Sequence, residues 1–192
     1  MSVFIRPWKG KDYESTRLLL LGESMYGSDP DGVQDNVLIW MIENTLSGDW
    51  KKRNNFYKKV YRVVTNRLWR DATPAERTAF WNRVAFLNFV QRPVLGGPRS
   101  RPSREMWVQS ESTFRTEFER LRPAGVVVLG KTVWSYLAEV GIATNLEPGA
   151  YQVVTAGHAC PAVFINHPSY SRLSADQRRL DLDDGQPVRR PV

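Results

Sequence analysis

Cysteine is nearly missing from this 192-residue chain. Cys160 stands alone, so no intramolecular disulfide forms, and one thiolate cannot hold an iron–sulfur cluster. Histidine is scarce too, with only His158 and His167. Together with Cys160 they read H-x-C-x6-H, which fits no common zinc signature and lacks a fourth ligand. Long apolar runs are missing as well: none approaches the ~20 residues of a membrane helix. The opening MSVFIRPWKG has no apolar middle of the signal-peptide kind. Internal repeats are absent. These gaps, with a length that suits one domain (residues 1–192) and a sizeable core, predict a monomeric cytoplasmic protein with no metal, cofactor or membrane association.

What the chain does have is positive charge. Lysine and arginine total 27 against 20 acidic residues, a net charge of +7, which suggests a polyanionic partner. The charge is concentrated. KKRNNFYKKVYRVVTNRLWR, residues 51–70, carries Lys51, Lys52, Arg53, Lys58, Lys59, Arg62, Arg67 and Arg70 without one acid. A second cluster, Arg99, Arg101 and Arg104, lies in GGPRSRPSRE, a loop stiffened by Pro98 and Pro102. Aromatics interleave with the first cluster: Trp50, Phe56, Tyr57 and Tyr61. Cations for phosphates and rings for bases are what nucleic-acid contact requires, although a solvated basic helix face accounts for the same pattern.

Hydrophobic periodicity gives alternating strands and helices. Strands are expected at 17–21, 84–89, 126–129, 151–155 and 163–165, and helices near 33–46, 55–69, 103–121 and from Gly130 through Val140. Thr73-Pro74-Ala75-Glu76 reads as the start of one more helix, with a threonine cap and proline in the first turn. The tail from about 174 is polar and charged. The pattern predicts a three-layer α/β/α sandwich around a central, mainly parallel four-stranded sheet.

Leu18 to Leu21 run unbroken into GESMYG. Such a run suits a parallel strand covered on both faces, and ligands of such sheets sit at the carboxyl ends of the strands. A glycine turn leading to a helix accounts for the segment equally well. Polar groups nevertheless stand at three strand ends: Glu23, Ser24 and Tyr26 after the first, Asn88 closing the second, and His167 after the last. Parallel strands would gather these on one edge.

GESMYG, the asparagine of FLNFV, the strand VVVLGK and the final NHPSYSR resemble, in order and spacing, the uracil-DNA glycosylase superfamily over roughly residues 16–180. NFVQRP with RSRPSRE is similar to a segment of its iron–sulfur branch, and FYKKVYRVV to a helix of the mismatch-specific branch. The resemblance implies hydrolysis of uracil from DNA, single- or double-stranded, after the base has been flipped out of the stack, leaving an abasic site for base excision repair. It assigns Asn88 to the uracil edge and His167 to O2 of the departing base. Gly22 and Tyr26 would line the pocket, Tyr26 against C5 so as to exclude thymine. Trp50 or Phe56 would stack on the base. Lys51, Lys52, Arg53, Arg99 and Arg101 would meet DNA phosphates, and Ser169, Tyr170 and Arg172 would reach the duplex.

The resemblance also has departures. The best-known branch carries an aspartate where this chain has Ser24, which can position water but supplies no charge. Glu23 is the expected carboxylate, with Asp29 and Asp31 as neighbouring substitutes. A non-catalytic member that binds DNA or a modified nucleotide, or a glycosylase for hypoxanthine or xanthine, fits the same motifs. A serine hydrolase fits worse, because a nucleophile elbow needs glycine where Tyr26 stands.

Overall fold

The computed structural model describes residues 4–27, 33–48, 55–96, 100–147 and 149–168. Strands β1 (Trp8–Lys9), β2 (Leu18–Gly22) and β3 (Met25–Gly27) precede helices α1 (Val37–Ser47), α2 (Asn55–Thr65) and α3 (Pro74–Arg83). Then follow β4 (Val84–Asn88), β5 (Pro93–Leu95), α4 (Arg104–Leu121), β6 (Gly125–Leu129), α5 (Lys131–Glu139), β7 (Ala143–Glu147), β8 (Ala150–Val154) and β9 (Ala159–Ile165). Thr73 caps α3 in a full capping box with Glu76, as Thr-Pro-x-Glu dictates.

The expected four-stranded sheet is a seven-stranded mixed sheet, ordered β1-β4-β2-β6-β9-β8-β7. Its middle, β4-β2-β6-β9, is parallel throughout. The additions are antiparallel edges: β1 beside β4, and the β7–β8 hairpin beside β9. The 151–155 strand therefore belongs to an antiparallel hairpin. A two-stranded parallel sheet, β3 with β5, lies apart from the large one.

The leucine run behaves as a doubly covered strand should. Leu19 and Leu21 enter a core with Phe114, Phe118 and Leu137 from α4 and α5. Leu18 and Leu20 join the other core, with Leu38, Tyr57, Val60 and Trp81 from α1, α2 and α3. Helices thus cover both faces. The chain leaves β2 for β4 on one side and leaves β6 for β9 on the other. A sheet whose crossovers diverge in this way opens a crevice at the carboxyl ends of the two strands, here after Gly22 and Leu129.

Candidate functional site

Gly22 and Asn88 end adjacent parallel strands as register partners. A Cβ on Gly22 would fall 2.4 Å from Asn88 Oδ1 and 3.1 Å from the Phe86 ring, so glycine is required for the amide to lie across the strand end. Asn88 is only 6% exposed. The pairing continues past the strands, with Phe89 N–H donating to the Gly22 carbonyl and Val90 N–H to that of Glu23, both at 2.9 Å. This ladder fixes the backbone of the segment that opens the GESMYG motif.

Glu23 is 4% exposed, and its carboxylate accepts from one nitrogen, Arg101 Nη1, at 2.9 and 2.8 Å to its two oxygens. Arg101 lies 78 residues away, just before the Ser103 cap of α4. Ser24 Oγ is buried and has no hydrogen-bond partner among the described residues. No general base touches it among the described residues. Tyr26 is half-buried on β3, in register with Val94 of β5.

His167 arrives from the end of β9. Its Cδ2 and Cβ pass 3.6 and 3.7 Å from where a Cβ on Gly130 would be. Gly130 itself holds φ at +138°, a conformation that favours glycine, at the N-cap of α5. The Phe56 ring of α2 lies 5.5 Å from the imidazole, tilted by 33°. Burial lowers the His167 pKa from its ordinary value, and the nearby charges of Arg101 and Lys59 lower it further. A neutral imidazole at pH 7 can donate one hydrogen bond without carrying a net charge.

The structure thus brings Gly22, Glu23, Asn88 and His167 to one edge of the sheet, with Phe56 from α2 and Arg101 from the loop before α4 alongside. Of the two rings offered for stacking, Phe56 is beside His167. Trp50 lies outside the described residues, as do Lys51, Lys52, Arg53, Arg99, Ser169, Tyr170 and Arg172, the alternative acids Asp29 and Asp31, and the tail from 174.

Two features depart from the sequence reading. Tyr57 and Tyr61 are 4% and 2% exposed and sit in the core, where they cannot stack on a base. Their spacing with Val60 and Val64, at steps of three and four, is the buried stripe of an amphipathic helix. The basic stretch is also partly neutralised in the fold: Arg67 pairs with Glu76 at 2.7 Å, and Arg70 lies 3.6 Å from Asp71. Lys59 is the group the sequence left unassigned. It stands three residues after Phe56 on α2, a spacing that puts both on one helix face.

The zinc arrangement dissolves. His158 and His167 flank the seven-residue β9, which at about 3.3 Å per residue separates them by roughly 20 Å or more. Cys160 is buried, and burial pushes its thiol up to about 12. No cluster of metal-ligating side chains occurs among the described residues, and no helix there is long and apolar enough to cross a membrane. A scan against protein-family models finds no match for this chain, and a search of the curated proteins finds none.

Proposed function

We propose that the chain is a monofunctional DNA glycosylase with the uracil-DNA glycosylase fold, hydrolysing the bond between uracil and deoxyribose in DNA. The observation that carries this reading is the meeting of a buried Asn88 amide, a His167 imidazole of lowered pKa and a buried Glu23 carboxylate at the crevice of a parallel sheet. An amide offers both a donor group and an acceptor on a rigid plane, which matches O4 and N3–H of a uracil edge. Phe56 supplies a ring for the base to lie against, next to the imidazole.

The chemistry follows from where charge develops. As the glycosidic bond breaks, its electron pair leaves with uracil, and negative charge builds on the base while positive charge builds on the sugar. His167 donates to O2 of the departing base, and Lys59 adds a positive field on that side. Glu23 is the anion available to the sugar and to the attacking water. Water oxygen bonds to C1′, one proton of the water is released, and the uracil anion takes up a proton, so one water is consumed. The excess of basic residues serves the phosphate backbone, whose contribution to affinity falls with salt.

A second reading, a base-binding protein without catalysis, draws on one observation: Arg101 occupies both oxygens of Glu23. One experiment separates the two. Oligonucleotides carrying a single uracil, hypoxanthine, xanthine or thymine are incubated with the protein and then cleaved with alkali at abasic sites. Strand breaks at uracil support the glycosylase. Retarded but uncut oligonucleotides support the binder, and neither result supports neither.

A further inference from the structure

We infer that Arg101 is a positioning residue for Glu23 rather than a phosphate contact; this rests on the glycosylase reading and sharpens it. A carboxylate as buried as Glu23 is costly to keep charged without a partner. Among the described residues, Arg101 is the side chain that hydrogen-bonds it. One nitrogen placed between the two oxygens, at 2.9 and 2.8 Å, also fixes where the carboxylate head sits. Backbone bonds hold the other end of the residue, since the Glu23 carbonyl accepts from Val90 N–H. Glu23 is therefore held at both ends, which is the condition for presenting an anion at one position to a sugar and a water.

The arrangement compensates for Ser24. A chain with serine at that position has no carboxylate there, and a glutamate one residue earlier has a longer side chain and one more rotatable bond. Arg101 removes that extra freedom. Its guanidinium is suited to the task because it stays charged at all working pH values. The side chain is 57% exposed, so its replacement leaves the core undisturbed.

The two roles for Arg101 predict different kinetics. A phosphate contact acts on affinity, depends on salt and is indifferent to Glu23. A positioning residue acts on the rate at saturation and only through Glu23. The test measures single-turnover excision from a uracil-containing oligonucleotide at saturating protein, and Kd for that oligonucleotide at two salt concentrations. The proteins are wild type, Arg101→Gln, Arg101→Lys, Glu23→Gln and the Arg101→Gln/Glu23→Gln pair, each checked by thermal melting.

The expected result is a saturating rate lowered about 10–100-fold in Arg101→Gln, the range found for groups that orient a metal ligand, with Kd nearly unchanged. Arg101→Lys should recover part of the rate, and the double variant should be no slower than Glu23→Gln alone. A weakened Kd with an unchanged saturating rate, or additive losses in the double variant, overturns the inference while leaving the glycosylase reading intact. A folded wild type that excises no base overturns that reading, and the role of Arg101 with it.

Discussion

His158 and His167 stand at the two ends of β9, and the fold uses them differently. His158 precedes the strand: its Nε2 donates to the Pro123 carbonyl at 2.6 Å, and its ring packs 5.3 Å from that of Phe118. Its own carbonyl accepts from Thr155 N–H, closing the turn between β8 and β9. His167 follows the strand and lies beside a glycine and a phenylalanine ring, in the field of two cations. At the amino end of the strand an imidazole is consumed by backbone, and the result is a tied-down turn. At the carboxyl end the imidazole is near side chains of α2 and of the loop before α4. The residue type is the same, and its position on the sheet decides what it can do.

The most damaging test of this contrast is alanine substitution on both sides. His167→Ala and Asn88→Ala should each lower uracil excision by ~10²–10³, the cost of one donor to a developing oxyanion, with little change in oligonucleotide affinity. His158→Ala should keep the wild-type rate and show instead a lower melting temperature, consistent with about 1 kcal/mol for a lost hydrogen bond. Equal rate losses on both sides would break the comparison.

Gly22→Ala comes next in size. Its new methyl group meets Asn88 Oδ1 at 2.4 Å, so the amide must move. A displacement near 1 Å at a reacting centre costs up to ~10²-fold in rate, and single-turnover kinetics should show a loss of about that order. Full activity in this variant would mean that the Asn88 amide is not needed where it stands.

Tyr26→Ala sharpens the boundary of the site with a smaller effect. If Tyr26 excludes the thymine methyl, the variant should release thymine weakly, because a methyl-sized difference is worth ~1–3 kcal/mol. Thymine left untouched while uracil is still cut would move Tyr26 out of the pocket.

The smallest effect is a proton equilibrium. With only two histidines, the imidazole signals can be followed one by one in an NMR titration. His167 should titrate below the ordinary value near 6.5, and Arg101→Gln or Lys59→Met should move it upward, since both charges oppose protonation. A lowered pKa in the folded protein means that the unfolded chain binds the proton more readily. The contribution to stability is therefore complete above about 6.5 and is lost as pH falls from there through the folded value. A His167→Asn variant should lose that part of the acid slope.

Much of the scaffold is legible in the residues. The apolar runs Leu18 to Leu21 and Val84 to Leu87 suit doubly covered strands, and Thr73-Pro74-Ala75-Glu76 carries its own cap. The edges are not legible, for physical reasons. β1, β3 and β5 have two or three residues and show no period. β7 buries only Ala143, so ATNLE offers no alternation to read. The strand ends that carry Glu23, Asn88 and His167 follow from the parallel order, but the Glu23–Arg101 contact does not. It joins a strand end to an irregular loop 78 residues away, and no local pattern encodes such a meeting. Tyr57 and Tyr61 show the converse: their basic neighbours suggested a surface, while the three–four spacing already placed them inside.

Phe89 and Val90 donate to Gly22 and Glu23 as a continuation of the central ladder, and this bears on which side must yield when a ligand enters the crevice. Amides in such a ladder part only when the sheet itself opens, so this wall of the crevice shares the lifetime of the whole fold instead of that of a loop. A rigid wall of this kind does not adapt to its target. In the glycosylase reading, the deformation needed for recognition falls on the nucleic acid, and bases whose pairing is already weak reach the crevice most often.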